Sequence, residues 1–94
     1  DNGLALQIKD DFLRIRRSLA QVGDNGKARD YAEENRKLHV RAYQEEMVET
    51  KDVIEAQVIE TFASANLYRA EHDLRAALAD LDYRVGKAIQ PIKP

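Results

Sequence analysis

Residues 56–85, AQVIETFASANLYRAEHDLRAALADLDYRV, decide the fold. Alanine recurs at every seventh position in this stretch, and leucines stand between the alanines. The steps alternate between three and four residues, which is the spacing of a coiled-coil seam, and alanine on one row lets a neighbouring helix approach closely. The predicted seam runs on to Val85 and contains Ala56, Ala63, Leu67, Ala70, Leu74, Ala77 and Leu81.

A second row of small and aromatic residues lies on the same predicted helix. At about 100° per residue it sits roughly 170° around the helix from the seam, and polar residues separate the two. A simple two-helix hairpin needs only one seam per helix. Two nearly opposite rows are typical of a helix with a neighbour on each side, as in a wall or barrel of helices. The second row consists of Ala65, Tyr68, His72, Ala76, Ala79 and Tyr83.

An earlier helix, predicted over residues 4–46, carries similar stripes. Its strong stripe consists of Ile8, Phe12, Ile15, Leu19 and Val22, and a weaker stripe consists of Leu6, Leu13 and Ala20. Past Gly23 and Gly26 the main stripe becomes Ala28, Tyr31, Asn35, Leu38 and Ala42. This change of face indicates a kink, a short break or a change of packing partner near Gly23 and Gly26.

The two helical stretches, residues 4–46 and 50–88, have similar lengths and flank a turn at about residues 44–50. Thr50 is the predicted N-cap of the second helix, and Asp52 suits the positive end of its dipole. Matched lengths favour end-to-end pairing over a three-helix bundle. We therefore predict an all-α fold over residues 1–94: one long antiparallel two-helix coiled-coil hairpin whose first helix is kinked or broken near Gly23 and Gly26.

The composition excludes several classes of protein. The chain has 94 residues, no cysteine and a net charge of -2. Disulfide scaffolds and cysteine-based zinc sites are therefore excluded, and no global charge attracts nucleic acid. No apolar run approaches the roughly 20 residues that span a bilayer, so we expect this piece to lie outside the membrane. Its abrupt ends suggest a piece of a longer chain.

Catalytic and metal-binding patterns are missing from the sequence. His39 and His72 are the only histidines. Neither belongs to a Glu-x-x-His motif, and no nucleophile–base pair or glycine-rich phosphate loop is present. We therefore expect no enzyme activity, no metal and no cofactor.

Three short motifs, in order along the chain, resemble the TolC-like outer-membrane efflux family. They are AY (residues 42–43), VIEAQ (53–57) and LDYRVG (81–86). The first is similar to the small residue and aromatic that precede the turn in that family. The second is similar to the V-L-x-A-Q start of the returning helix, and the third to its L-x-x-x-x-G close. Nearly the whole chain resembles the family's second periplasmic helical hairpin.

The resemblance implies a periplasmic segment of an outer-membrane protein. In that family a homotrimer forms a periplasmic α-barrel, and small molecules or proteins leave through its lumen. An inner-membrane transporter drives the export and is joined to the channel by a periplasmic adaptor. This chain would then be one segment of the tunnel wall.

The resemblance also implies site residues at the turn. Asp52 and Glu55 match an acidic pair that narrows the closed aperture, and repeated in a trimer they would form carboxylate rings that favour cations. Tyr43 matches an aromatic that helps to hold the aperture shut. The tip that would contact the adaptor consists of Glu45, Glu46, Met47 and Val48. Val48 replaces the family's usual basic residue, and Glu46 its common tip glycine.

Simpler interpretations stay open. Asp52 and Glu55 are also ordinary acids for the first turn of a helix, and Tyr43 is also an ordinary packing residue. The alternative function is a soluble coiled-coil scaffold or adaptor hairpin that docks other helices. In either case the second row predicts self-association, as an antiparallel dimer that forms a four-helix bundle.

Overall fold

The computed structural model describes residues 2–89 and confirms an all-α helical hairpin. Helix α1 is Asn2–Gln44 and helix α2 is Thr50–Ile89. Helix α1 starts and ends two residues earlier than predicted. Helix α2 starts at the predicted residue and ends one residue later. Residue 1 and residues 90–94, the ends of the predicted 1–94 hairpin, lie outside the described residues.

Helix α1 continues through Gly23 and Gly26 without the predicted break, and a kink there is not confirmed. Neither glycine has a positive φ, and open space surrounds the position of a Cβ at each. A glycine inside a helix costs only about 1 kcal/mol relative to alanine. That penalty is too small to end a helix whose residues on both sides pack against α2.

The helices form two compact units, each containing parts of both. The first unit contains α1 up to Val22 and α2 from Ala70, and the second is Gly23–Arg69. The buried residues of the first unit are Asp11, Ile15, Ser18, Ala70 and Ala77. Those of the second unit are Ala32 and Ala56. Each core is therefore lined mainly by small or polar side chains.

The structure places the predicted α2 seam on the side that packs against α1. Three of its alanines are buried, and the remaining members are half-buried: Ala63, Leu67, Leu74 and Leu81. The alternation of three and four residues reaches Arg84 rather than Val85, which is 40% exposed. Glu60 occupies the step between Ala56 and Ala63 and is half-buried. Two seam positions are thus filled by charged residues.

The strong stripe predicted for α1 is only partly buried. Ile15 is buried, but Phe12 and Leu19 are each 55% exposed. Asp11 and Ser18 are buried in place of Phe12 and Leu19. The larger side chains of Phe12 and Leu19, one residue farther along the helix, therefore lie on the flank of the packed side. Past Gly26 the buried stripe is likewise shifted by one residue from the predicted stripe. Tyr31 and Leu38 are exposed, and the residues that follow them, Ala32 and His39, are buried and half-buried.

Candidate functional site

A buried ion pair joins the two helices in the first unit. The side chain of Asp11 is only 6% exposed, and Nη1 of Arg84 donates hydrogen bonds to its two oxygens at 2.5 and 2.6 Å. The hydrogen bond to Asp11 raises the pKa of Arg84 above its ordinary value, against the opposing effect of desolvation. Because the pKa of Arg84 is raised in the folded chain, the charged guanidinium stabilises the fold fully at any pH below its ordinary pKa. That stabilisation is lost only as the pH rises through the raised pKa. Arg84 therefore stays cationic throughout the neutral range.

An exposed ion pair lies on the rim of the same unit. Nη1 of Arg14 donates to Oδ2 of Asp80 at 2.7 Å, and both side chains are about half exposed. Solvent screens such pairs, which contribute roughly 0–1 kcal/mol. The pair is still informative, since Arg14 precedes the buried Ile15 and Asp80 precedes the half-buried Leu81. Residues that precede a buried position on either helix therefore share one face of this antiparallel pair.

Polar side chains also enter the packed side of the second unit. Nε of Arg36 donates to Oε1 of Glu60 at 2.7 Å, and both side chains are mostly buried. Nδ1 of His39 lies 2.8 Å from the backbone oxygen of Asn35, to which it donates. This bond gives His39 a structural role. A polar residue in a coiled-coil seam favours one register over others at some cost in stability.

Large apolar side chains are exposed outside the packed side of each unit. In the first unit, four of the residues that follow buried or half-buried seam positions are apolar and exposed: Phe12, Leu19, Leu78 and Val85. In the second unit, four of the residues that precede such positions are apolar or aromatic and exposed: Tyr31, Leu38, Ile59 and Phe62. In the second row of α2, Tyr68 and Tyr83 are exposed with Ala65, His72 and Ala79, and Ala76 is half-buried. Helix α2 therefore carries apolar surface on its outer side as well as on its packed side.

The turn after α1 contains a left-handed residue. Glu46 has a φ of 60°, its N–H donates to the oxygen of Tyr43 at 3.0 Å, and the N–H of Met47 donates to the oxygen of Ala42 at 2.8 Å. These two bonds define a Schellman motif, whose left-handed position is usually glycine. Glutamate there is strained, because its Cβ crowds the backbone. The residue type does not predict this conformation, because glutamate rarely adopts a positive φ.

The start of α2 is capped by a carboxylate. The N–H of Glu49 donates to Oδ2 of Asp52 at 2.9 Å. Glu49, rather than the predicted Thr50, is thus the N-cap, and Asp52 supplies the reaching-back half of a capping box. Oγ1 of Thr50 instead donates to the hydroxyl of Tyr43 at 3.3 Å, which ties the two helix ends together.

The remaining residues assigned to the aperture and the tip are mostly exposed. Glu55 is exposed one helical turn beyond Asp52 and has no ion-pair partner in the described part of the chain. Glu45, Glu46 and Met47 are exposed at the tip, and Val48 is half-buried. The structure thus places Tyr43 and Asp52 in local structural contacts and leaves Glu55 and the three tip side chains accessible.

We expect Glu46→Gly to stabilise the chain by about 0.5–1 kcal/mol, because glycine adopts the left-handed conformation without the steric cost that glutamate bears. Urea denaturation at one fixed protein concentration measures the change. Glu45→Gly is the matched control. It adds the same backbone freedom where φ is not positive, so it is expected to destabilise the chain. A loss of stability in Glu46→Gly equal to that in the control would contradict the strain at Glu46.

Residues 2–89 contain neither a metal-binding cluster nor a membrane-spanning helix. No three of their histidine or acidic side chains are grouped so that they could hold a metal ion. Neither helix, over its described length, is long and apolar enough to cross a membrane. Comparison of the chain with models of protein families, with curated proteins and with solved structures gives no match.

Proposed function

We propose that this hairpin is a tunnel-wall segment in the periplasmic part of a trimeric, TolC-like outer-membrane efflux channel that exports small molecules or proteins. The observation that carries the proposal is the two-sided character of α2. Its alanine seam packs against α1, and its tyrosine row is exposed on the outer side. A helix within a closed wall needs apolar surface toward neighbours on both sides, whereas a helix in an isolated hairpin needs it on one.

The geometry of the tip supports the same proposal. Glu46 adopts the left-handed conformation at the position where the family commonly has glycine. The backbone therefore turns as it would with glycine, although the side chain differs. In the proposed channel this tip faces the periplasmic adaptor that connects it to the inner-membrane transporter. The side chains available for that contact are those of Glu45, Glu46 and Met47, which are exposed.

The two acids proposed for the aperture have different local roles. The carboxylate of Asp52 accepts a hydrogen bond from the N-cap of α2, whereas that of Glu55 is exposed and unpaired within residues 2–89. In a trimer, three Glu55 carboxylates around a constriction would attract cations. Asp52 would add to the same field while holding the start of α2. We therefore assign the greater part of the cation effect to Glu55.

The test is electrical and uses the full-length channel that contains this chain. We expect Glu55→Ala to weaken block by divalent cations, as measured by single-channel conductance in planar bilayers, and Asp52→Ala to weaken it less. If block and conductance are unchanged in the double variant, the carboxylate ring is excluded. The sequence of the parent upstream of residue 1 is a second test. A parent with no signal peptide and no amphipathic β segments would favour the soluble scaffold instead.

Measurements on the isolated 94-residue chain distinguish the effect of Asp52 on helix capping from its proposed effect on the aperture. We expect Asp52→Ala to lower its free energy of unfolding by about 1 kcal/mol, because the backbone N–H of Glu49 loses its acceptor. Glu55→Ala is the matched control. At a protein concentration low enough for the chain to be monomeric, it is expected to change stability by less than about 0.5 kcal/mol, as exposed substitutions usually do. Equal losses would show that Glu55 also has a structural role. Thermal and urea denaturation followed by circular dichroism measure both.

A further inference from the structure

We propose that a second copy of this chain docks on the second unit, antiparallel to the first and centred on Phe62. The proposal concerns a two-fold contact between hairpins. It does not rest on the proposed channel function, because it follows from the exposed face of Gly23–Arg69 alone.

The contact surface is the face of the second unit made by residues that precede packed positions. Ile59 precedes Glu60, and Phe62 precedes Ala63. On α1, Tyr31 and Leu38 stand in the same relation to Ala32 and His39. In the first unit, the contact between Arg14 and Asp80 shows that such residues share one face. Phe62 is 66% exposed and Tyr31 is 76% exposed, so the middle of this face is apolar and uncovered.

The charged residues on this face indicate which partner binds there and in which orientation. Glu55 and Arg69 stand seven residues before and after Phe62, about 10 Å away in each direction along α2 and on the same side of the helix. Both are exposed, and neither forms an ion pair within the described helices. An antiparallel second copy places Glu55 opposite Arg69 of the partner subunit, and the two-fold axis repeats the pair. A parallel copy would place like charges together, which is costly.

The centre of the face is also self-complementary. Val58 and Ile59 lie before Phe62, and Ala65 lies after it, so pairing about Phe62 brings Ile59 near Ala65 of the partner subunit. A large side chain therefore meets a small one on each side of the axis. Such a patch fits itself in the way that an isologous two-fold interface requires. A partner of unrelated sequence would have to reproduce both the size pattern and the crossed charges.

The first test measures association by sedimentation velocity at micromolar concentration. We expect the 94-residue chain to be dimeric and Glu55→Arg or Arg69→Glu to weaken the dimer about tenfold, since each creates two repulsive contacts. The double variant, Glu55→Arg with Arg69→Glu, is expected to recover it. A monomeric wild-type chain, or a double variant as weak as the single ones, would overturn the proposal.

A matched pair of variants locates the contact. We expect Phe62→Asp to give monomers and Phe12→Asp, an equally drastic change at a side chain that is 55% exposed in the first unit, to leave the dimer intact. Circular dichroism establishes that both remain helical. If Phe12→Asp dissociates the dimer and Phe62→Asp does not, the interface lies elsewhere and the proposal fails.

Disulfide trapping determines direction, since the chain contains no cysteine. Glu55→Cys mixed with Arg69→Cys is expected to form a mixed disulfide, whereas either variant alone is expected to stay largely uncrosslinked. Rapid crosslinking of Glu55→Cys to itself would indicate a parallel pair and contradict the proposal. These results are independent of the channel proposal. A monomeric chain would exclude the dimer only, and unchanged cation block would exclude the carboxylate ring only.

Discussion

Ala77→Leu is expected to lower the free energy of unfolding by about 1–3 kcal/mol, although leucine is common in coiled-coil seams. Ala77 has no exposed surface, and Ile15 and Ser18 are buried in the same unit. A fully buried alanine at this point of the seam leaves no room for a longer side chain unless its neighbours move. Three added carbons would force the helices apart or push neighbouring side chains off their preferred rotamers.

Ala79→Leu is the matched control for this prediction. It makes the same chemical change two residues away, at an exposed position of the second row. Because alanine and leucine have similar helix propensities, the control is expected to change stability by less than about 0.5 kcal/mol. Urea denaturation must be run at one protein concentration, since any self-association adds to apparent stability. A stabilised Ala77→Leu variant would show that the seam has unfilled space and that the helices do not need alanine there.

The α2 seam could be predicted because its period is nearly unbroken and alanine marks it. The α1 stripe could not be predicted in the same way. Phe12 and Leu19 are large apolar residues, but Asp11 and Ser18, which precede them, occupy the buried positions instead. Whether a residue is buried thus depends on the residues of the partner helix. Asp11 is buried because the guanidinium of Arg84, 73 residues away, compensates the charge of its carboxylate.

In the turn, too, some features could be predicted from the sequence and others could not. Its place and the acid in the first turn of α2 follow from the sequence, because an N-terminal helix turn favours carboxylates. The left-handed conformation of Glu46 does not follow, since glutamate rarely adopts it. The glycines at positions 23 and 26 mislead in the opposite direction. Their local preference for a turn is weaker than the packing of the residues around them, and α1 continues through both.

The ion pair between Asp11 and Arg84 is expected to give the second large effect, and the two single substitutions should differ. Arg84→Leu leaves the carboxylate of Asp11 buried without its cation, a strongly destabilising arrangement. Asp11→Leu leaves Arg84 about one-third exposed, so its guanidinium can still be hydrated. We expect Arg84→Leu to be the more destabilising change. Thermal denaturation of both variants at the same concentration and neutral pH makes the comparison.

The double variant, Asp11→Leu with Arg84→Leu, is expected to recover most of the loss, because replacing a buried ion pair by apolar side chains removes both desolvation costs. Arg14→Leu is the matched control: it breaks an exposed pair in the same unit and is expected to cost less than about 1 kcal/mol. A double variant that stayed as far below the wild-type chain in stability as Arg84→Leu would show that the pair contributes more than the cost of its own burial. The charged pair would then be a net source of stability in the first unit, whereas recovery would indicate that its main effect is to specify how the two helices align.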